Sequence, residues 1–431
     1  MRFYSFFEKR FTLLLWLVFG VFFALILQKG ALSFPDTEGY LDMAIYRSPI
    51  YPIFLAIINS FSGTYFNYIT VGIQAILGFL AVRYLIITIG NVLSIPKIWL
   101  LFLAGVLLLP YMGSLSIANA LLSEALAYPL YLVVIALFLK SLTQRNLNSV
   151  WKSIPYLLIL LLTRNQFLFL IPIGVLLILW ITKFRLRSVW MLLAIFLSLP
   201  LISSVADKSY HFFTHGHFVA TPWTGIHIIT PAFFVADEED FIIFENEGKQ
   251  LFFQYVMDEL KQKELNIHHL PPNSDAISRY TTYYSSIANH TVFEEGKEHF
   301  QDANEPLQPT TFIETDRLTS EMTPPLVMDN LTAWLKLYVK NVSHGFGGSK
   351  SVLLYCIILL LSVLYSYKTS NVWSHSILLL VSATFGNIVL IAVGMHTVDR
   401  FTFYNDWVLF LIIFILLNQI NINPAVDEAR T

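Results

Sequence analysis

The chain has 431 residues, of which 56% are hydrophobic and only 13% are charged, against about 25% charged in typical soluble domains. Its mean hydropathy is +0.62. The single cysteine, Cys356, excludes an intrachain disulfide, a cysteine-based zinc site and an iron–sulfur cluster. A net charge of −2 argues against an extended basic surface for nucleic acid. The composition therefore predicts a polytopic membrane protein without a nucleic-acid partner.

Apolar stretches along the chain predict about ten transmembrane helices. A helix needs roughly 17–25 predominantly apolar residues to cross the hydrocarbon core. The two short stretches on either side of Thr163-Arg164-Asn165 are interpreted as one broken helix or a tight hairpin. The predicted fold is all-α, with spans at 11–28, 66–89, 98–110, 117–139, 154–163, 166–182, 188–205, 351–367, 373–396 and 404–422.

Lysines and arginines orient these spans. Short basic turns follow alternate spans, so the positive-inside rule predicts that they and both termini are cytoplasmic. The chain is then divided into an N-terminal transmembrane module at 1–206, an external loop subdomain at 207–350 and C-terminal helices at 351–431. Within the first module, residues 29–65 form the first external loop. The absence of retention signals and the compact chain favour a bacterial plasma membrane.

The long external loop carries most of the acidic residues. Between positions 237 and 330 lie 19 of the 29 acids and 6 of the 27 bases, which is typical of a solvated surface. Aromatic residues are spread through the loop, which favours a mixed, mainly helical subdomain over disorder. One or two amphipathic helices are predicted over 237–265, and Pro271-Pro272 and Pro324-Pro325 are predicted to interrupt the helices.

Three histidines, His211, His215 and His217, stand just beyond the seventh predicted span. Two histidines four residues apart on a helix can bind zinc. No glutamate accompanies them as a zinc protease requires, and the nearest acid is Asp207. A solvated histidine cluster at the membrane interface is therefore expected, and no metal site is predicted.

The first external loop concentrates ionisable residues at a membrane edge, in the segment FPDTEGYLDMAIYRSPIYP. Asp36, Glu38 and Asp42 are followed by Arg47. Carboxylates at this depth are costly unless they are solvated or paired, so the cluster is a functional candidate. An ordinary solvated loop is the alternative.

This loop resembles the first external loop of the GT-C superfamily of membrane glycosyltransferases, particularly the branch with protein O-mannosyltransferases and lipid A aminoarabinose transferases. The resemblance rests on Pro35-Asp36, on Tyr40 and on the stretch RSPIYP at 47–52. Two further segments are similar: LLSEALAYPLY, in which Glu124 opens a helix, and DRFTFY at 399–404, an Arg-aromatic turn before a final helix.

The resemblance implies transfer of a sugar from a polyprenyl-phosphate donor to a hydroxyl of a glycan, lipid or protein acceptor, with inversion in one displacement. A carboxylate takes the acceptor's proton and arginines hold the leaving phosphate. Asp36 is the first choice for the base and Glu38 the second, because Thr37 separates two acids that several relatives place side by side. The other predicted site residues are Arg47, Arg164 and Arg400 for the phosphate and Tyr40, Tyr51, Glu124 and Asp399 for the substrate.

No cofactor is implied beyond the lipid-linked donor and the surrounding membrane lipids. Some distant relatives bind a divalent metal with an acid at the position of Glu124, but a metal is not predicted here. The branch that this chain resembles does not generally need one for transfer.

Other functions are compatible with the same composition. A polysaccharide polymerase or ligase uses the same kind of donor, and a multi-pass transporter or lipid flippase is the alternative from a different class. A transporter is expected to carry ionisable residues or broken helices at midplane, often in paired halves. Here the acids lie at the external edge, and only Arg164-Asn165 is predicted to lie deeper. A membrane scaffold is the third alternative.

Overall fold

The structure is a computed structural model, and it describes residues 2–302, 305–369 and 371–422. It is 81% helical, and the described residues contain no strand, which confirms the all-α prediction. The helices are α1 Arg2–Lys29, α2 Thr37–Leu41, α3 Ile50–Ser62, α4 Phe66–Leu93, α5 Lys97–Leu108, α6 Glu124–Gln144, α7 Asn148–Thr163, α8 Leu170–Ile181, α9 Trp190–His215, α10 Thr224–Val235, α11 Glu247–Gln262, α12 Ala276–Ile287, α13 Glu294–Phe300, α14 Pro309–Asp329, α15 Leu331–Gly345, α16 Ser349–Lys368, α17 Val372–Gly394, α18 Asp399–Thr402 and α19 Trp407–Ile422.

Seven helical segments among the described residues are long and apolar enough to cross a membrane. They indicate an integral membrane protein with several spans. The predicted count of ten is not confirmed, because three of the predicted spans fall on helices α5, α7 and α8, which have 12, 16 and 12 residues. The helix is interrupted at Arg164, whose backbone is extended. A 3₁₀ turn then leads from Arg164 into α8.

The chain folds into two compact units. The first unit comprises residues 1–203, 355–386 and 403–431, and the second comprises residues 204–354 and 387–402. The predicted loop subdomain thus lies in the second unit, together with the segment that leads up to and includes α18.

Helix α6 lies at the centre of the first unit. It is the most buried of the seven spans, and it packs against α4 and α7. Its aromatic side chains Tyr128 and Tyr131 are fully buried. Because α6 is held on several sides, its first residue, Glu124, has a fixed position at one end of the helix. The span that was predicted from residue 117 begins only there, because residues 117–123 are non-helical or in turns.

In the second unit, α10 packs against α14 and α15. A Cβ on Gly225 of α10 would lie 2.2 Å from the backbone oxygen of Asp316 of α14, so the two helices approach closely because this residue is a glycine. The Asp316 carboxylate accepts the backbone N–H of Gly225 at 2.6 Å. Burial raises the pKa of Asp316 to about 6, although hydrogen bonds from the α10 N-terminus oppose the shift.

Two predictions for the second unit need correction. Pro324 and Pro325 do not interrupt a helix, since both lie inside α14, one turn before its end. His211 is fully buried rather than solvated. Its ring lies 3.4 Å from the Asp207 carboxylate, one turn earlier on α9, and 3.3 Å from the Thr221 hydroxyl. These two side chains are its polar partners, in place of the water that the sequence predicted.

Candidate functional site

The first loop is attached to the segment that precedes α6. Leu32 pairs with Ala120 in an isolated parallel bridge. The Asn119 side-chain amide donates to the carbonyls of Ile26 and Gly30 at 2.7 and 2.6 Å, so it also caps the end of α1. These contacts satisfy buried backbone groups of a non-helical segment, and they bring the residues of α2 beside the beginning of α6.

Asp36 and Arg47 form an ion pair within this loop, with 2.8 Å between Oδ1 and Nη2. The side chains are 32% and 17% exposed, so the pair is partly accessible to solvent. The guanidinium stacks over the rings of Tyr40 and Tyr46, at 4.6 and 4.8 Å from their centroids. Burial opposes the charge of Arg47, but Tyr40 and then Asp36 outweigh burial, and the pKa of Arg47 is raised above its ordinary value.

Glu124 and Arg164 form a second ion pair, with 2.7 Å between Oε1 and Nη1. These side chains are only 3% and 13% exposed. Arg164 also donates from Nε to the Gln166 side-chain oxygen at 2.9 Å. The break between α7 and α8 therefore has a structural consequence: it places a guanidinium against the first residue of α6.

A tyrosine and a serine connect the two ion pairs. The Tyr40 hydroxyl donates to Ser123 Oγ at 3.0 Å, and Arg164 Nη1 donates to the same oxygen at 3.0 Å. We refer to this continuous set as the acid–arginine network, which consists of Asp36, Arg47, Tyr40, Ser123, Arg164 and Glu124. With two carboxylates and two guanidiniums, it is electrically balanced.

Tyr51 supports the network from behind. Its ring lies edge-on to Tyr40 with 5.0 Å between centroids, and it is fully buried. Its hydroxyl donates to the Gln74 side-chain oxygen at 2.8 Å, and the Gln74 amide donates to the Ala118 carbonyl at 2.8 Å. The structure therefore gives Tyr51 a place in the support of Tyr40, while its contact with substrate stays a prediction.

The other predicted residues lie outside the network. Glu38 is exposed on α2, and none of the described residues forms an ion pair with its carboxylate. Asp399 and Arg400 belong to the second unit, on α18, where the Arg400 guanidinium lies 5.6 Å from the Phe401 ring. Their place in a phosphate or substrate site stays a prediction.

The second unit fixes the segment that leads to Arg400. Asn341 of α15 donates to the carbonyls of Ala392 and Met395 at 3.3 and 2.7 Å and accepts the backbone N–H of Thr397 at 3.2 Å. Tyr284 of α12 stacks on His396 with 4.5 Å between centroids. Burial lowers the pKa of His396 to about 4, so its imidazole is neutral at neutral pH.

Sequence reasoning missed the polar groups that join the charges. Ser123 stands directly before Glu124 at a predicted helix start, a position where serine commonly caps a helix. This position could have indicated that Ser123 takes part in hydrogen bonds at the site. Gln74 lies within a largely apolar span, where a polar side chain needs a partner. Among the described residues, no three metal-binding side chains lie close enough together to hold a metal ion.

Comparison with known proteins adds no relative. No protein-family model, no curated protein and no solved structure matches the chain. The resemblance to GT-C glycosyltransferases stays a prediction from the residues, so the function has to be argued from the acid–arginine network.

Proposed function

We propose that the protein is an integral-membrane glycosyltransferase that moves a sugar from a polyprenyl-phosphate donor to an acceptor hydroxyl at the external side of the membrane. The observation that carries the proposal is the Asp36–Arg47 pair, a partly exposed carboxylate and guanidinium 2.8 Å apart at the end of a membrane helix bundle. Such a pair offers a proton acceptor and a phosphate-binding group within one substrate's reach.

In the proposed reaction the acceptor oxygen attacks the anomeric carbon as Asp36 takes its proton. The bond between that carbon and the phosphate oxygen breaks, and the electron pair leaves with the polyprenyl phosphate. Arg47 stabilises the negative charge that develops on the leaving group. Arrival of the donor phosphate gives Arg47 a second anion to bind, which loosens its hold on Asp36 and leaves that carboxylate free to accept the proton.

The second ion pair has a different role in this proposal. Glu124 and Arg164 are more buried than Asp36 and Arg47, and Arg164 holds the serine to which Tyr40 is bonded. We assign to them the positioning of Tyr40, whose ring supports the Arg47 guanidinium. This narrows the sequence prediction, which gave Arg164 a direct contact with phosphate.

The proposed topology has about ten crossings, cytoplasmic termini and an external subdomain at 207–350, in a bacterial plasma membrane. The short apolar helices Lys97–Tyr111 and Asn165–Ile181 support crossings beyond the seven long ones. The alternation of basic turns supports the orientation.

The test is transfer of labelled sugar from a panel of synthetic polyprenyl-phosphate donors by the full-length protein in proteoliposomes. Asp36→Asn is expected to lower the rate about 10²–10⁴-fold, the usual contribution of a general base. Asp42→Asn is the matched control, because Asp42 is an exposed acid of the same loop outside the network. Its rate should equal that of the wild type.

Two outcomes would contradict the proposal, one for the assignment of the base and one for the transferase function itself. Equal transfer rates for Asp36→Asn and the wild type would show that Asp36 is not the general base. A lower transfer rate in Glu38→Gln would then assign that role to Glu38. If no donor of the panel is used, the transferase function is wrong. Movement of a lipid-linked sugar across the proteoliposome without transfer would then favour the flippase alternative.

A further inference from the structure

A cavity lies in the first unit at the opposite end of α6 from the acid–arginine network. Its volume is about 240 Å³. Helices α6, α8 and α17 line it with largely apolar side chains, among them Leu142, Ile173, Leu177, Trp180 and Leu379. An apolar cavity of this kind does not hold water well and is suited to an apolar ligand.

One polar group in the cavity lacks a partner. His375 of α17 lines the cavity, and its Nε2 atom is buried without a hydrogen-bond partner in the described part of the chain. The imidazole ring packs edge-on against Trp180 with 5.2 Å between centroids, which holds it in place. A buried nitrogen of this kind is costly unless a ligand bonds to it. The ligand that fits therefore has an apolar body and a polar group near one end.

Basic side chains surround the same end of the helices. Phe184, which lines the cavity, lies between Lys183 and Arg185 in the turn after α8. Lys183 and Phe184 both have left-handed backbone angles, with φ of 50° and 60°, so this turn has an unusual shape that strains both residues. Arg145, the exposed residue that ends α6, acts electrostatically on His375.

We propose that this cavity binds an anionic phospholipid, with an acyl chain among the leucines and the phosphate at Arg145 and Lys183. The glycerol or headgroup oxygens then lie within reach of His375. A basic cluster beside a pocket between membrane helices is the arrangement that recognises anionic headgroups. A neutral lipid would satisfy the apolar lining but would bring no net negative charge to Arg145 and Lys183. The proposal does not depend on glycosyl transfer.

The experiment is native mass spectrometry of the full-length, delipidated protein, titrated with phosphatidylglycerol or with phosphatidylcholine of the same acyl chains. We expect one tightly bound phosphatidylglycerol with at least about tenfold higher affinity than phosphatidylcholine. The double variant Arg145→Gln/Lys183→Gln is expected to lose about tenfold in affinity for phosphatidylglycerol, since a basic residue at a membrane surface contributes measurably to anionic lipid binding. Its affinity for phosphatidylcholine should not change.

Lys9→Gln is the matched control, because Lys9 is exposed on α1, a helix that packs against α4 and α5 rather than against the helices that line the cavity. Ser382→Leu places an apolar side chain in the cavity and is expected to weaken both lipids without lowering the melting temperature in lipid-free detergent. If Ser382→Leu does not fold, the test depends on the double variant Arg145→Gln/Lys183→Gln, which changes only exposed residues. Equal affinity for the two lipids in the wild type, or an equal loss in Lys9→Gln, would overturn the proposal.

Discussion

Glu124–Arg164 in the first unit and Glu238–Lys261 in the second have the same oxygen–nitrogen distance of 2.7 Å. The side chains of the first pair are 3% and 13% exposed, whereas those of the second pair are 43% and 50% exposed. The two ion pairs therefore have the same length and differ in how far solvent reaches them. A buried pair is strongly destabilising when one partner is removed, whereas an exposed pair contributes little.

The difference has a functional side. In the first unit, the acid–arginine network connects two carboxylates and two guanidiniums through Tyr40 and Ser123. A network held in this way keeps its geometry before a substrate arrives, which is what transition-state stabilisation requires. In the second unit many charges lie at the surface, and the packing of α10 on α14 provides the order. The following predictions test this contrast, from the largest expected effect to the smallest.

Glu124→Gln is expected to destabilise the protein by about 3–5 kcal/mol, because it leaves the buried Arg164 guanidinium without its carboxylate. Chemical unfolding in mixed micelles measures the free energy of unfolding. The double variant Glu124→Gln/Arg164→Gln should recover part of the loss, since it removes the uncompensated charge as well. A loss of less than about 1 kcal/mol in the free energy of unfolding of Glu124→Gln would show that this ion pair contributes no more than an exposed one.

Asp316 gives the second unit a pH-dependent stability. Its pKa is raised from 3.8 to about 6 in the folded protein by burial, so the folded state binds the proton more tightly than the unfolded state. Stability is therefore fullest below 3.8 and falls as the pH rises toward 6, by up to about 3 kcal/mol. Asp316→Asn imitates the protonated form and should lack this fall.

The measurement is the melting temperature of the wild type and the variant between pH 4 and pH 7. Asp329→Asn is the control, since Asp329 is an exposed acid at the end of the same helix. Parallel pH curves for the wild type and Asp316→Asn would show that Asp316 titrates normally.

Gly225→Ala tests the packing that orders the second unit. The added Cβ would meet the Asp316 backbone oxygen at 2.2 Å and the Ser320 hydroxyl at 2.5 Å. Relieving this overlap requires α10 and α14 to separate, at a cost of about 1–3 kcal/mol. Gly72→Ala is the matched control, because Gly72 also lies in a helix but has no atom within 4 Å of the added Cβ. Equal melting temperatures for the two variants would contradict the close approach.

The charged residues of the network could be selected from the sequence because charges in an apolar context are conspicuous. Asp36, Arg47, Glu124 and Arg164 were all chosen on that ground, although only the structure shows which of them pair. Ser123 was not chosen, because a hydroxyl gains its importance from the neighbours that the fold supplies.

The all-α fold was predicted from the sequence, but the positions where individual helices begin and end were not. Hydropathy identifies apolar side chains, but it does not show where helical hydrogen bonding begins. Residues 117–123 are apolar enough to extend the next span, yet their backbone groups pair partly with the first loop through Leu32. Likewise, Pro324 and Pro325 remain inside α14, although proline locally favours the end of a helix.

Lys261→Gln is expected to leave the melting temperature unchanged. The hydrogen bond from Lys261 is the main cause that lowers the pKa of Glu238, so the pair favours folding above the ordinary glutamate pKa and loses this contribution as the pH falls. Both side chains are about half exposed, however, so salt and solvent screen the attraction. Comparing wild type and variant at low and high salt measures this directly. A loss as large as that of Glu124→Gln would show that the acidic surface stabilises the second unit through its ion pairs, and that burial does not separate the two regions.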